Sequence, residues 1–196
     1  MAKVGVFGSD VREVDPAIAK LAQQLGCELA RRGHELYTGG CNGYPHEVAV
    51  GAFREGGRVV AVSPAGSREE HAGSCGYPVD GYAAISFTGE GWARRSVRLV
   101  DAVEKGVVVQ GRQGTLQEIA LMICAGKDLG VLLGSGGASD YLPGFLKGAG
   151  IMENSHADDA HLRPYLVQTG LRAGRRSRVV YRDHPVLLVE ALFDEG

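Results

Sequence analysis

The sequence is poor in the features that mark secreted, metal-binding and membrane proteins. Its four cysteines include no Cys-x-x-Cys pair, and two of them, Cys27 and Cys124, fall within helical patterns, which argues against a disulfide or zinc framework. No apolar run approaches the length of a membrane span, and Met1 leads almost directly into a strand-like segment, unlike a signal peptide. We therefore expect a cytoplasmic protein with no metal, no cofactor and no membrane partner.

The chain also has little net charge. Its 21 basic and 23 acidic residues give a formal charge of −2, so there is no overall field to attract nucleic acid, and local groups must bind any anionic ligand. The arginines at 172–178 lack interleaved aromatic residues, which favours a solvated turn or a subunit contact. The expected partner is a small molecule and not a nucleic-acid polymer.

What the sequence does contain is the pattern of an α/β protein. A chain of 196 residues with 44% hydrophobic residues is enough for one domain with a sizeable core. Strand-like apolar runs alternate with helical patterns, which predicts one Rossmann-like, doubly wound, mainly parallel sheet of about seven strands over residues 1–196, with helices on both faces. Strands are predicted at 3–8, 35–38, 58–63, 83–87, 106–109, 130–133 and 178–181.

The helical patterns begin at Asp15-Pro16, where a helix runs to Gly33, and recur along the chain. Residues 65–81 lack periodicity and predict a loop of the kind that can close over a site. Residues 155–174 are polar and receive no assignment. Further helices are predicted at 47–55, 91–104, 115–125, in the residues before 150, and at 185–192.

Glycine turns follow three of the predicted strands. Gly8 ends the first strand, Gly39-Gly40 the second, and residues 111–114 follow the strand from Gly106. Ligands of open parallel sheets bind beyond the carboxyl ends of the strands, so these turns predict one crevice for a nucleotide-like ligand. A dinucleotide fingerprint and a Gly-Lys-Ser or Gly-Lys-Thr triphosphate loop are both missing. We expect a site for a single phosphate.

Residues 110–118 indicate a strand, a tight glycine turn and a helix N-terminus. The first turn of a helix offers unpaired N–H donors and the positive end of the helix dipole, which together suit a phosphate. Glu118 lies one turn further on, near the same opening. The same residues also fit an ordinary strand-to-helix turn, with Thr115 as a cap and Glu118 favoured by the dipole.

Four segments between residues 3 and 135 resemble the LONELY GUY family, a group of cytokinin nucleoside 5′-monophosphate phosphoribohydrolases once misannotated as lysine decarboxylases. They are residues 4–9, residues 37–43, residues 56–62, and Arg95 with residues 111–118. The family signature is Pro-Gly-Gly-x-Gly-Thr-x-x-Glu, preceded by an arginine that acts with the glutamate. The resemblance implies catalytic roles for Arg95 and Glu118, and a homodimer with their helices near the subunit contact.

The turns and the resemblance together define the candidate ligand-binding residues. Backbone N–H groups and small side chains in these turns suit a phosphate and the sugar attached to it. Binding of phosphate or nucleotide is predicted for Gly8, Ser9, Gly39, Gly40, Asn42, Gly43, Gly111, Arg112, Gln113, Gly114 and Thr115.

The chain departs from the family pattern at several positions. Gln110 replaces the signature's proline, Arg112 its second glycine, and Ser96 the lysine of an Arg-Lys pair. A Gly-Leu-Met-Gly segment is replaced by residues 43–46. These changes resemble a sibling group that includes molybdenum-cofactor carrier proteins, which bind a phosphorylated ligand without necessarily cleaving it.

The expected reaction is hydrolysis of the N-glycosidic bond of a nucleoside 5′-monophosphate, with a modified or cytokinin-type base as one option. Loss of the base passes through an oxocarbenium-like state, which a carboxylate such as that of Glu118 stabilises. Arg95 can serve either the departing base or the phosphate. The alternative is a non-catalytic binder or carrier of a phosphorylated ligand such as molybdenum cofactor or a nucleotide.

Overall fold

Strand β1 lies at the centre of a parallel sheet. The computed structural model describes residues 1–149 and 177–194, and in this part of the chain seven strands pair in the order β4-β3-β2-β1-β5-β6-β7. Every neighbouring pair is parallel, which confirms the predicted Rossmann-like class. The strands are Lys3–Gly8 (β1), Glu35–Thr38 (β2), Val59–Ser63 (β3), Ala84–Phe87 (β4), Lys105–Val109 (β5), Asp128–Leu132 (β6) and Val179–Arg182 (β7).

Helices cover both faces of this sheet, because side chains alternate between the faces along each strand. Val4 and Val6 of β1 pack with α1, α2 and α6, whereas Phe7 packs with α3, α4 and α5. Among residues 1–149 and 177–194, no helix has the length and apolar character needed to cross a membrane. The helices are Pro16–Arg31 (α1), Tyr44–Arg54 (α2), Gly91–Asp101 (α3), Gln113–Cys124 (α4), Ala138–Gly148 (α5) and Pro185–Phe193 (α6).

Two helix boundaries differ from the prediction by three residues. Helix α2 begins at Tyr44 instead of Glu47, because Gly43 turns the chain with φ of 79° and Pro45 fits the first turn of a helix. Helix α3 ends at Asp101 instead of Glu104, whose N–H already donates to the Lys3 carbonyl of β1. The unassigned segment 155–174 lies outside the described residues, so a single domain over 1–196 stays a prediction.

The predicted loop 65–81 contains a π-helical turn at Glu70–Ser74. Its anchor is His71, which is fully buried. His71 Nε2 lies 3.0 Å from the Pro78 carbonyl, and Nδ1 lies 2.8 Å from Ser63 Oγ. Because a carbonyl only accepts, Nε2 carries the proton and Nδ1 accepts from the Ser63 hydroxyl. His71 thus fastens this segment to the end of β3, and its closure over a site stays a prediction.

Helices α1 and α2 pack so closely that each needs a glycine at the contact. A Cβ on Gly26 would overlap the Val48 carbonyl oxygen, and a Cβ on Gly51 would overlap the Gln23 carbonyl oxygen. The two backbones therefore approach each other to a distance that no larger residue permits. This contact fixes α2, and with it the turn that precedes it at the end of β2.

We expect Gly26→Ala to lower the free energy of unfolding by about 1–3 kcal/mol, because the added methyl group forces the two helices apart. Gly144→Ala in α5 is the matched control, since a Cβ there meets nothing within 4 Å and alanine is the better helix former by about 1 kcal/mol. Urea unfolding followed by circular dichroism measures both. An equal increase in the free energy of unfolding of both variants would contradict the close contact between α1 and α2.

Candidate functional site

A cleft of about 460 Å³ opens beyond the carboxyl ends of β1 and β5. Here the sheet continues from β1 to β2 on one side and to β5 on the other, which is the switch point where ligands of open α/β sheets bind. Residues 8–10 and the N-terminal halves of α3 and α4 line the cleft. Three separate pieces of sequence therefore meet at one crevice.

A buried ion pair lies in the wall of this cleft. Arg95 Nη1 is 3.0 Å from Glu118 Oε1, and the two side chains are only 6% and 8% exposed. The Ser96 hydroxyl donates to the same oxygen at 2.9 Å. Because both hydrogen bonds end on Oε1 and Glu118 lines the cleft, Oε2 is the oxygen available to a ligand.

Burial raises the pKa of Glu118 above its ordinary value, while the Arg95 charge and the hydrogen bonds from Ser96 and Arg95 act in the opposite direction. Arg95 itself is held between aromatic and backbone neighbours. Its guanidinium carbon lies 5.6 Å from the centre of the Trp92 ring, and a Cβ on Gly39 would come within 2.8 Å of Nη1. Arg95 Nε is buried without a hydrogen-bond partner in the described residues, so its N–H remains an unused donor.

The first turn of α4 forms a second wall of the cleft. Its cap residue is Arg112, whose side chain has no acceptor to offer the helix. The first intrahelical bond is from Leu116 N–H to the Arg112 carbonyl at 3.0 Å, so the N–H groups of residues 113–115 are not used within the helix. Ser9 Oγ, also at the cleft, is buried without a partner in the described residues. These donors, the helix dipole and the Arg112 charge suit an anion.

The turn before α4 has a backbone that proline cannot adopt. Gln110 has φ of 60°, whereas proline is held near −65°. Gln110 N–H donates to Ser135 Oγ at 2.8 Å. Proline has no backbone N–H and could not make this hydrogen bond. The Gln110 carbonyl accepts from the N–H and hydroxyl of Ser139, at 2.9 and 2.8 Å. The replacement of the signature's proline therefore comes with a different turn, tied to the start of α5.

Most of the candidate ligand-binding residues line the cleft or its small neighbour. Gly39 lies in an adjoining cavity of about 40 Å³ that also contacts Arg95 and Glu118. The candidate ligand-binding residues that line the main cleft, besides Arg95 and Glu118, are Gly8, Ser9, Arg112, Gln113, Gly114 and Thr115.

Four other candidates do not line the cleft and instead support it. Asn42 Nδ2 donates to the Gly76 carbonyl at 3.1 Å, and Gly40 N–H donates to the Thr38 hydroxyl at 3.0 Å. A Cβ on Gly43 would overlap the Ser9 carbonyl oxygen. The Gly111 carbonyl accepts from the first N–H of α5 at 2.9 Å. Direct ligand contacts from these four residues stay a prediction.

Sequence reasoning missed Asp10 and Ser96 as residues of the cleft. Both are sequence neighbours of candidates, Ser9 and Arg95, but adjacency alone does not show which side chains turn inward. Trp92, to which the sequence alone gave no role, also lines the cleft.

Two side chains next to the glycine turn after β2, Cys41 and His46, are held in structural roles. Burial raises the pKa of the Cys41 thiol to about 12, which keeps it protonated and unreactive at neutral pH. His46 hydrogen-bonds Tyr82 at 3.1 Å and does not line the cleft.

The fold and the placement of the cleft define a Rossmann-like α/β protein with its site at the switch point of the sheet. The model of the SLOG cluster4 family matches residues 1–162, and the chain belongs to this LOG-like family. The resemblance seen in the glycine motifs is thereby confirmed.

Individual proteins are also similar to this chain. An uncharacterized protein of Archaeoglobus fulgidus is 30% identical over 127 residues, which are 65% of this chain and 77% of the relative. The X-ray structure of TM1055 covers all of both chains with a TM-score of 0.75 at 21% identity, a likeness of fold alone. The molybdenum cofactor carrier protein of Chlamydomonas reinhardtii is 25% identical, with 98% of each chain covered and a TM-score of 0.67.

The raised pKa of Glu118 gives a testable dependence of stability on pH. Between its ordinary value of 4.5 and the higher value in the folded protein, the folded state binds the proton more tightly than the unfolded state does. The free energy of unfolding therefore falls as pH rises through this window. Glu118→Gln removes this titrating group. We therefore expect the free energy of unfolding of the variant, compared with that of the wild type at the same pH, to become larger as pH rises from 4.

Thermal unfolding of both proteins across pH 4 to 8 measures this difference. Glu13→Gln is the control, since it removes the same charge from an exposed side chain outside the cleft. A Glu118→Gln stability that worsens steadily relative to the wild type as pH rises would contradict the stated direction.

Proposed function

We propose that the protein is a phosphoribohydrolase that converts a nucleoside 5′-monophosphate into free base and ribose 5-phosphate. The observation that carries this proposal is that the Glu118 carboxylate, held by Arg95 and Ser96, faces the same cleft as the open first turn of α4. Glu118 follows Gly114 by four residues, or about 6 Å of helix rise. A phosphate at the N-terminus of α4 therefore leaves its sugar beside Glu118.

The chemistry follows from these positions. As the C1′–N bond lengthens, positive charge develops on the sugar ring, and the Glu118 carboxylate stabilises it. The oxygen of water bonds to C1′, the electron pair of the C1′–N bond leaves with the base, and one water proton, passed through Glu118, ends on the base. Arg95 and Ser96 hold the carboxylate in position, and both favour its charged form.

Phosphate binding is assigned to the first turn of α4. Unused backbone N–H groups meet the phosphate oxygens, and the exposed Arg112 adds a charge-assisted contact. The ligand is thus oriented by its phosphate, which makes the reaction selective for a nucleotide over a nucleoside.

A carrier of a phosphorylated ligand is the second candidate, favoured by one observation. The chain resembles a protein named as a molybdenum cofactor carrier over nearly its whole length. The same charged cleft can hold a phosphorylated ligand without cleaving it. Stoichiometric co-purification of an intact ligand with the wild-type protein, without release of a base, would favour this function.

Incubation with AMP, GMP, IMP, CMP, UMP and an N6-modified AMP, followed by chromatography of the products, tests the reaction. We expect free base and ribose 5-phosphate from at least one nucleotide. Glu118→Gln should lose about 10²-fold or more in rate while it still binds the nucleotide, and Glu13→Gln should keep full activity. Absence of free base from every nucleotide with the wild type would refute the hydrolase.

Arg112→Gln tests the phosphate site. Because a phosphate contact is made equally in the ground state and the transition state, its loss should raise KM by about 3- to 30-fold and leave kcat nearly unchanged. Arg94→Gln is the matched control, since Arg94 is an exposed arginine of α3 outside the cleft. An unchanged KM for Arg112→Gln would place the phosphate elsewhere.

A further inference from the structure

The Asp10 carboxylate and the Trp92 ring line the cleft, and Tyr77 contacts both of them. Tyr77 donates its hydroxyl hydrogen to Asp10 Oδ2 at 3.2 Å, and its ring meets the Trp92 ring edge-on with centroids 6.0 Å apart. Asp10 and Trp92 both line the cleft. We call Asp10, Tyr77 and Trp92 the acidic wall.

The strand order places Asp10 and Tyr77 of the acidic wall away from the first turn of α4. Tyr77 belongs to the segment between β3 and β4, on the β2 side of β1, whereas α4 follows β5 on the other side. Asp10 follows β1 itself. A nucleotide whose phosphate lies at the first turn of α4 therefore spans β1, and its base extends toward the acidic wall.

The chemistry of this wall restricts the base. A carboxylate only accepts hydrogen bonds, and in the described residues no ion pair neutralises Asp10. Tyr77 occupies one position on Oδ2, and Oδ1 accepts no hydrogen bond in the described residues. Trp92 is 50% exposed, so its ring has surface left on which a flat base can stack.

We propose that Asp10 is a specificity-determining residue that selects a base with a ring N–H next to an exocyclic amine. Guanine presents these two donors side by side, and 2-amino-4-oxopterins share the same edge. Hypoxanthine keeps only the ring N–H, and adenine has an acceptor nitrogen at that position. The proposal rests on the phosphoribohydrolase function for its substrate and extends it to a guanine-type edge.

Binding and cleavage are measured separately. Trp92 is the only tryptophan of the chain and lies in the cleft, so its fluorescence reports occupancy, and calorimetric titration gives an independent Kd. We expect GMP to bind about tenfold or more tightly than AMP, with IMP between them, because guanine offers the Asp10 carboxylate two N–H donors, hypoxanthine offers one, and adenine has an acceptor nitrogen in place of the ring N–H. Neopterin monophosphate, which has the same edge but no glycosidic bond, should also bind more tightly than AMP.

Three variants isolate the carboxylate. Asp10→Asn presents a donor where an acceptor is needed, and should abolish the preference for GMP over AMP. Tyr77→Phe keeps the carboxylate and should keep the preference. Glu13→Gln removes a nearby exposed charge outside the cleft and should bind like the wild type.

The outcomes separate this inference from the proposed reaction. A preference for GMP that Asp10→Asn abolishes supports the role of Asp10, even if no base is released. Release of base from AMP and GMP with equal Kd values, unchanged in Asp10→Asn, overturns the role of Asp10 and leaves the hydrolase intact. Failure of all four ligands to bind overturns the role of Asp10 and the proposed substrate class together.

Discussion

The ion pair between Arg95 and Glu118 is the interaction on which the cleft depends. Two charges removed from water are tolerated only if each compensates the other, and loss of one partner leaves an uncompensated charge inside the protein. The pair joins α3, which follows β4 at one edge of the sheet, to α4, which follows β5 beside the centre. It therefore fixes the distance between two helices that do not share a strand neighbour.

Around this pair, the turns at the strand ends supply the remaining surfaces. The turn after β1 is held by Gly43 and Tyr44, because Tyr44 N–H donates to the Ser9 carbonyl at 3.2 Å. The turn after β5 is held by Ser135 and Ser139. Each wall of the cleft is thus supported by an element that does not touch its interior. The glycines are needed partly for this support, and only some of them face the ligand space.

Much of the fold could be predicted from local sequence, because apolar runs and glycine or proline boundaries are properties of a few neighbouring residues. The strand bounds agree with the prediction to within two residues. The pairing of β6 with β7 could not be predicted from the sequence, because it brings Leu129 beside Val179, which lies 50 positions further along the chain. Such pairing depends on the packing of the whole sheet and not on any local pattern.

The candidate site divides in the same way. Arg95 and Glu118 were identified through a family motif, because the spacing of a motif can be read directly from the sequence. Asp10 follows no motif and Ser96 departs from one, and the inward orientation of both side chains depends on how β1 and α3 pack with the rest of the fold. The buried contacts of His71 likewise join positions with no pattern between them. Side chains that complete a site from outside its motif are the part that requires coordinates.

The left-handed backbone of Gln110 has a consequence for how the chain can change over generations. Proline at this position would lose the hydrogen bond to Ser135 and could not adopt the observed φ. A single substitution of Gln110 by the proline of the LONELY GUY signature is therefore incompatible with the present backbone. It requires the whole turn, with its links to the start of α5, to rearrange at the same time. A proline at position 110 therefore has to be accompanied by changes at Ser135 and Ser139, because both side chains bond to the present turn.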